Sequence, residues 1–210
     1  MIRRILATAM FLILTGTLSA QTPPGLLTRL DRSTSAADPD DVPDVTIVSA
    51  DRGFQVNTGP AAVVWNPTNT VAGSYNIEGK FTLQRPASHT SYYGLIFGGR
   101  ELEAADQSYL YFLVAQNGAF LIKLREGNAT TRDVIGATLH AAVARPDATG
   151  KSVNVLEVRV GADQIAYLVN GTQVHNTPRT VMTAATDGIW GVRINHVLPG
   201  VLVEGLGVTR

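Results

Sequence analysis

The sequence predicts an all-β fold, a sandwich or barrel of about a dozen short antiparallel strands. After residue 44, most of the chain consists of short runs in which apolar and polar residues alternate, the pattern of a strand with one buried face. Glycine and asparagine separate these runs, and the 210 residues include 20 glycines, which suit tight turns. No segment longer than about ten residues has helical periodicity. One globular β domain is therefore expected over residues 45–210.

The clearest strand is predicted within residues 74–84, SYNIEGKFTLQ. Tyr75, Ile77, Phe81 and Leu83 alternate with polar side chains, so they should all point to the same face of a sheet. An apolar face opposite a polar one is typical of an antiparallel strand that is half buried.

Two Asn-Gly pairs mark predicted hairpin turns. Asn117-Gly118 lies between YLYFLVAQ and AFLIKLR, and Asn170-Gly171 lies between QIAYLV and TQVHN. Both central positions of a two-residue hairpin turn have positive φ, which Asn and Gly adopt readily. The second half of the domain is predicted as a succession of adjacent strands over residues 153–160, 164–169, 172–175, 188–194 and 201–208.

The first 20 residues have the pattern of a secretory signal peptide. Arg3 and Arg4 precede a short apolar stretch, and small residues follow up to Ala20, near which cleavage is expected. The apolar stretch is shorter than the roughly 20 residues that span a bilayer, so no transmembrane segment is predicted. The sequence thus predicts a secreted protein, periplasmic or extracellular. Residues 21–44, which are rich in proline, serine and aspartate, are predicted as a flexible leader.

The composition excludes several classes of function. The chain has no cysteine, which rules out thiol catalysis, cysteine metal sites and a disulfide scaffold. Its formal net charge is +0, and loss of Arg3 and Arg4 with the signal peptide leaves 15 basic against 17 acidic residues. A surface that binds nucleic acid is normally basic. No nucleic-acid partner is therefore expected.

Three sequence features occur in an order known from one kind of β-sandwich. They are Gly94 with Phe97, the aromatic strand before Asn117, and N-x-L-x-V followed by V-N-G-x-x-V from Asn154 to Val174. In this order they resemble the concanavalin A-like lectin and glucanase superfamily, over roughly residues 45–210. More narrowly, the chain looks like the laminin-G-like and 3-keto-disaccharide hydrolase-like domains of secreted bacterial proteins.

The resemblance implies two stacked antiparallel sheets in a jelly roll, with the concave outer face of one sheet forming the groove in which family members hold sugars. It also implies that the last strand, residues 201–208, returns to lie beside residues 45–49 or 54–57. The same sandwich carries lectins, hydrolases and adhesion modules, so the resemblance does not choose among these functions.

Three acids lie close together between the predicted strand that ends at Phe97 and the one that begins at Ser108. Glucanases of the superfamily carry their catalytic acids at alternate positions of one strand, and glycoside hydrolysis requires such a pair. Glu101 and Glu103 would share a face if residues 101–106 formed a strand, and Asp106 follows them. Two glycines precede these acids and the family's third acid is missing, so the segment is predicted as a loop. The three acids are the candidates of an alternative, catalytic hypothesis.

Groove contacts are predicted on this loop and on one later strand. Loops at the rims of such folds carry recognition groups. The candidate contacts there are Arg100, Glu101, Asp106 and Gln107. Arg193 is a further candidate, because it lies on the face of its strand opposite to Trp190, for which a place in the core is favoured.

Tyr109 and Tyr111 share one face of a predicted strand and alternate with apolar residues. If the two tyrosines face the groove, their rings can stack on sugars. If they do not, they are half-buried core residues, which is the commoner case. Lys123 and Arg125 alternate with apolar residues in the next strand and are predicted on a polar outer face.

No metal or cofactor site is predicted. The four histidines, His89, His140, His175 and His196, lie far apart in the sequence and lack the spacing of zinc ligands. Calcium stays open because superfamily members often bind it, although the sequence has no D-x-[DN]-x-[DN]-G loop.

The sequence favours a secreted, non-catalytic carbohydrate-binding or adhesion module whose partner is a glycan or a cell-surface polysaccharide. The first alternative is a hydrolase or lyase that acts on a disaccharide or keto-sugar, as the narrower resemblance implies. The second alternative is a structural protein of the cell envelope. A filled groove would favour the structural alternative.

Overall fold

The computed structural model describes residues 22–31, 44–128 and 130–209. Within these ranges it contains fourteen strands and one short 3-10 helix, Val181–Thr183, and no helix there has the length and hydrophobicity of a membrane span. The strands are β1 (Leu27–Asp31), β2 (Thr46–Ala50), β3 (Gly53–Asn57), β4 (Ala61–Val71), β5 (Tyr75–Leu83), β6 (Tyr92–Arg100), β7 (Ser108–Ala115), β8 (Ala119–Glu126), β9 (Thr130–Leu139), β10 (Ser152–Val160), β11 (Gln164–Val169), β12 (Thr172–Pro178), β13 (Gly188–Ile194) and β14 (Val201–Thr209).

The strands form two seven-stranded antiparallel sheets. The order is β1-β4-β13-β6-β7-β8-β9 in the first sheet and β12-β11-β10-β5-β14-β3-β2 in the second. This arrangement confirms the prediction of an all-β, two-sheet jelly-roll sandwich. The last strand, β14, pairs with β3, with Val201 opposite Val56, and this return was implied for residues 54–57. The strand β2 pairs with the other edge of β3.

The core lies between the two sheets, where alternate side chains of each sheet meet. Tyr75, Ile77, Phe81 and Leu83 of β5 are all buried in it, which confirms the face predicted from the alternation in that strand. Trp190 of β13 also lies in this core, as the sequence favours. The opposite face of the first sheet points away from this core, so a functional site can lie on it.

The two Asn-Gly turns have different shapes. Asn170 and Gly171 have φ angles of 50° and 77°, as predicted for a tight hairpin. In the turn between β7 and β8, Gly118 has a φ of 88° but Asn117 is not among the residues with positive φ. Here the amide of Gly118 donates to the carbonyl of Ala115 at 3.0 Å, so this turn is wider than the predicted one.

The strand β1 lies inside segment 21–44, which the sequence predicts as a leader. It pairs with β4, from Leu27 opposite Trp65 to Asp31 opposite Ala61. This part of the segment therefore belongs to the first sheet.

In β1 the polar side chains are covered and an apolar one is exposed, the reverse of the usual pattern for a strand that packs on a core. For this reason the sequence does not predict β1. Its polar Arg29 and Asp31 are partly or largely covered, while Leu30 is exposed. Hydrophobic periodicity detects a strand only when its apolar side is the buried one. The predicted signal peptide, residues 1–20, and residues 32–43 lie outside the described residues.

Candidate functional site

A second apolar cluster lies on the face of the first sheet that points away from the core, which we call the outer face. Its members are buried residues of several strands and of the β6–β7 loop: Val63, Trp65, Ile96, Leu102, Tyr109, Tyr111, Leu113 and Leu121. The solvent side of an antiparallel sheet is usually polar. An apolar and buried outer face therefore marks this side as the candidate site.

Tyr109 and Tyr111 both point to the outer face, which is the orientation that a groove contact requires. Their ring centroids are 5.8 Å apart, and the alternating Leu110 and Phe112 lie in the core. Neither tyrosine is open to solvent, since Tyr109 is 0% and Tyr111 7% exposed. The tyrosines line the outer face, but they are more deeply buried than a groove contact is expected to be.

Arg193 joins the two tyrosines to Asp31. Its Cζ atom lies 5.4 Å from the centroid of the Tyr111 ring, and its Nη1 donates to the Tyr109 hydroxyl at 2.7 Å and to Asp31 Oδ2. The Tyr109 hydroxyl in turn donates to Asp31 Oδ2 at 3.2 Å. Asp31, which sequence reasoning assigned to the leader, is thus the buried counter-ion of this network.

The environment of this network determines its protonation. Burial alone would raise the pKa of the Asp31 carboxyl, but the guanidinium groups of Arg193, Arg125 and Arg29 together outweigh burial and hold that pKa below its ordinary value. Burial alone would lower the pKa of Arg193, but Tyr109 and Asp31 raise it. Burial raises the pKa of the Tyr109 hydroxyl. At neutral pH, Asp31 is therefore a carboxylate with no proton to donate, and Tyr109 is a neutral phenol.

The distance between Asp31 and Tyr109 shows that the outer face is concave. Asp31 is on β1 and Tyr109 is on β7, four strands away in the sheet order. On a flat sheet these strands would lie about 19 Å apart, farther than the two side chains can reach together. Their oxygen atoms are nevertheless 3.2 Å apart. The sheet must therefore curve toward this side, as the resemblance implied for the groove.

The loop between β6 and β7 covers one end of the outer face. Leu102 enters the buried cluster, and Arg29 Nη1 donates to the carbonyl oxygens of Leu102 at 3.2 Å and Ala104 at 2.7 Å. Gln107 is 0% exposed. Its Nε2 donates to Asn128 Oδ1 at 3.3 Å, whereas its Oε1 has no hydrogen-bond partner among the described residues. This end of the face is filled by protein.

The acids of the catalytic hypothesis lie on the solvent side of this loop. Glu101, Glu103 and Asp106 are all exposed, and Glu101 has a left-handed φ of 48°, which a strand residue does not adopt. The prediction of a loop over residues 101–106 is confirmed. Arg100 is exposed as well, at the end of β6. Of the predicted contacts, the fold brings only Tyr109, Tyr111 and Arg193 together.

The outer face is open toward β8 and β9. Lys123 lies opposite Tyr111 on one side and Asp133 on the other, and its Nζ is 2.9 Å from Asp133 Oδ1. Tyr92 is half-buried against the same cluster; burial raises the pKa of its hydroxyl, and the nearby Lys123 lowers that pKa in part. We call Tyr92, Tyr111, Lys123 and Asp133 the outer-face site.

Sequence reasoning found half of this site. Lys123 was predicted on a polar outer face and lies there, but neither Tyr92 nor Asp133 was singled out. The signal that could have found them is strand pairing, because Asp133 matters only through its place opposite Lys123. Within the described ranges, no group of three or more His, Cys, Asp or Glu side chains is placed to hold a metal ion.

Solved structures of carbohydrate-binding proteins have a similar architecture. The chain is similar to the carbohydrate-binding module CBM66 from Bacillus subtilis, with a TM-score of 0.60 and 11% identity over 80% of this chain and 92% of that one. It is also similar to the carbohydrate recognition domain of Emp46p, with a TM-score of 0.52 and 12% identity for the metal-free form and 0.54 and 13% for a mutant. Each of these two covers 77% of this chain and 83% of the other.

No family model matches the sequence, and no curated protein matches it either. The similarity to solved structures, at 11–13% identity, concerns the fold. Two stacked seven-stranded antiparallel sheets and the return of β14 to β3 agree with it. The chain therefore has a concanavalin A-like, two-sheet jelly-roll sandwich fold.

Proposed function

We propose that this chain is a non-catalytic carbohydrate-binding module, whose ligand is a glycan or a cell-surface polysaccharide bound at the outer-face site. The observation that carries the proposal is the Lys123–Asp133 pair beside Tyr111 on a concave face. The similarity in fold to a carbohydrate-binding module and to a carbohydrate recognition domain supports the general class of ligand.

The outer-face site offers the groups that sugar recognition uses. Lys123 is 27% and Asp133 55% exposed, so both remain accessible while they hold each other in place. Asp133 has further acceptor positions and Lys123 has further donor hydrogens, which together match the hydroxyl groups of a sugar. Tyr92 adds an amphipathic ring whose apolar body can contact a sugar ring while its hydroxyl stays solvated.

The position of the carboxylates favours binding over bond cleavage. Glycoside hydrolysis requires one carboxyl group that donates a proton and a second that acts as nucleophile or base. Asp31 is ionised and paired with Arg193, and Asp133 is paired with Lys123. Glu101 and Glu103 are exposed on the loop. The hydrolase or lyase alternative would require these loop acids, and sugar turnover that persists in a Glu101→Gln, Glu103→Gln double variant would remove them from any mechanism.

We also propose that the protein is exported, to the periplasm or the extracellular space, after cleavage near Ala20. The support is the signal-peptide pattern of residues 1–20. A glycan array probed with the purified protein tests the binding function. Retention on at least one class of polysaccharide is expected, and an array without any retention would count against the proposal.

One observation favours a second candidate, a structural module of the cell envelope. The end of the outer face around Tyr109 and Arg193 is filled by the protein's own side chains, with both residues at most 9% exposed. If the groove serves only as a second core, replacement of Lys123 should change neither the fold nor the function of the protein. Binding of a protein of the envelope, together with no binding of glycans, would support this candidate.

A further inference from the structure

Two histidines that are 107 positions apart in the sequence meet at one end of the sandwich. His89 lies in the loop between β5 and β6, and His196 lies in the loop between β13 and β14. Their Nε2 atoms are 2.9 Å apart, whereas their ring centroids are 4.7 Å apart, with 20° between the ring planes. The nitrogen atoms are much closer than the centroids, so the Nε2 edges of the rings face each other.

The surrounding hydrogen bonds determine where the protons of this pair lie. Ser91 Oγ donates its only proton to the carbonyl oxygen of His196 at 3.0 Å, so it accepts from His89 Nε2, which is also 3.0 Å away. His89 Nε2 therefore carries a proton in the neutral pair, and His196 Nε2 directs its lone pair toward it. The other nitrogen of His89, Nδ1, lies 3.3 Å from Ser88 Oγ.

Both loops are attached to neighbouring elements by hydrogen bonds. The side chain of Gln116 donates to the carbonyl of His89 at 3.3 Å. In the other loop, the Thr58 hydroxyl donates to the carbonyl of Asn195 at 2.7 Å and accepts from the amide of Leu198 at 3.0 Å. These contacts flank His196 on both sides. The two imidazoles are therefore held in a preorganised arrangement.

Backbone strain occurs directly beside the pair. Val197, which follows His196, has a φ of 51°, a left-handed conformation that is costly for a β-branched residue. Strain of this kind clusters at active sites and ligand clamps and persists where the surrounding structure over-determines it. A cavity of about 450 Å³, lined in part by Arg85, Ser88 and Val197, opens next to the two loops. The cavity is lined by the sequence neighbours Ser88 and Val197 but by neither histidine, so it lies beside the pair and does not contain it.

We propose that His89 and His196 together bind a divalent transition-metal ion such as Zn²⁺ or Cu²⁺. Two metal–nitrogen bonds of about 2.0–2.1 Å at a tetrahedral angle place the nitrogen atoms about 3.3 Å apart. The two Nε2 atoms are now 2.9 Å apart, so they need to separate by only about 0.4 Å to bind the ion. On binding, His89 loses its proton at Nε2 and takes one up at Nδ1, where Ser88 Oγ accepts a hydrogen bond. Metal-binding histidines usually make such an outer hydrogen bond.

The ligand type determines which metal the pair selects. Neutral imidazole suits zinc, copper and nickel, whereas calcium and magnesium require oxygen ligands. In the part of the chain that the structure describes, the pair does not belong to a group of three or more His, Cys, Asp or Glu side chains. Water or a bound ligand would therefore complete the coordination. Sequence spacing predicts no metal site, because only the fold brings these two histidines together.

Titration of the metal alone into the purified protein, prepared without a histidine tag and treated with a chelator, tests this proposal. We expect Zn²⁺ to bind with one ion per chain by isothermal titration calorimetry. His89→Gln and His196→Gln should each weaken binding by more than the about 10-fold that loss of an outer-shell partner typically costs, and Ser88→Ala by about that factor. His140→Gln is the matched control and should bind as the wild type does.

Two results would overturn the proposal: no binding by the wild-type protein, or binding that is unchanged in both His89→Gln and His196→Gln. Circular dichroism shows whether each variant is folded. If a variant fails to fold, electron paramagnetic resonance of Cu²⁺ bound to His140→Gln decides instead. Hyperfine coupling of the Cu²⁺ electron spin to two nitrogen nuclei supports binding by both histidines. Coupling to fewer than two contradicts it. None of these measurements depends on sugar binding, so failure of one proposal does not affect the other.

Discussion

The Cζ atom of Arg193 lies 5.4 Å from the centroid of the Tyr111 ring. The same guanidinium is bonded to Asp31 and to the Tyr109 hydroxyl, so the Tyr111 ring of the outer-face site packs against a buried charged network. A cation near an aromatic face contributes about 0.5–2 kcal/mol. The position of Tyr111 is therefore maintained by electrostatics as well as by packing.

Replacement of Arg193 should be strongly destabilising. Arg193→Met leaves the buried Asp31 carboxylate with Arg29 as its remaining ion-pair partner, whose Nε lies 3.3 Å from Oδ1, and breaking a buried pair costs up to about 3–5 kcal/mol. Arg100→Met, at an exposed position, should change the free energy of unfolding by no more than about 0.5 kcal/mol. Urea unfolding measures both. Equal effects of the two substitutions would contradict the buried network, and Asp31→Asn combined with Arg193→Met should cost less than the sum of the two single changes.

The same ion pair should make stability depend on pH in the acidic range. The pKa of Asp31 is lowered in the folded protein, so its contribution is fully present above the unfolded value of about 3.9 and is lost as the pH falls through the folded pKa. The free energy of unfolding of the wild type should therefore exceed that of Asp31→Asn at pH 7, and the difference should shrink below about pH 4. Urea midpoints at pH 7, 5, 4 and 3 provide the measurement. A difference that stays constant would mean that folding does not shift the pKa of Asp31.

Gly94 should not tolerate a side chain. A Cβ atom there would lie 2.4 Å from the Phe112 carbonyl oxygen and 2.7 Å from Leu156 Cδ1, so Gly94→Ala must displace backbone, at a cost of about 1–3 kcal/mol. Gly136→Ala is the control, since its nearest neighbour would be 3.6 Å away. Thermal unfolding of both variants checks this. If Gly94→Ala and Gly136→Ala unfolded at the same temperature, that result would contradict the close approach of β6 to β7.

The loop conformation of Glu101 makes an unusual prediction for stability. Glu101 has a φ of 48°, which costs a non-glycine residue about 1–2 kcal/mol, more than the entropic cost of glycine of about 0.5–1 kcal/mol. Glu101→Gly should therefore leave the protein as stable or make it up to about 1 kcal/mol more stable. Glu103→Gly, without a positive φ, should not stabilise. If instead Glu101→Gly destabilised the protein like a glycine in a strand, the segment would be the strand that the catalytic hypothesis needs.

Local alternation predicted the faces of the strands well. It placed Phe81 and Trp190 toward the core and Arg193 and Lys123 on the outer face, because side chains of a strand alternate whatever surrounds them. It did not predict β1, whose covered residues are the polar ones. It also could not predict that Tyr109 would be fully buried on the outer face, since this burial arises from curvature and from contacts with segments that are distant in the sequence.

The register between strands could not be predicted from the sequence, for a specific physical reason. A two-residue turn at Asn117-Gly118 would place Tyr111 opposite Leu124, a residue of the core. The wider turn places Tyr111 opposite Lys123 instead. A shift of one residue moves a side chain to the other face, so the outer-face site depends on turn geometry that the Asn-Gly signal alone does not specify.

The most direct test of the proposed function compares the wild type with Lys123→Ala on the same glycan array, with Lys80→Ala as the control. Lys80 is also an exposed lysine in an ion pair, with its Nζ 2.8 Å from Glu204 Oε2, but it lies on the second sheet. Loss of a hydrogen bond from a charged group costs about 1.5–3 kcal/mol, so Lys123→Ala should bind at least about 10-fold more weakly. The wild-type protein and Lys80→Ala should bind the same glycans on the array with equal affinity. Absence of glycan binding by the wild type, or equal binding by Lys123→Ala, would contradict a sugar site on the outer face.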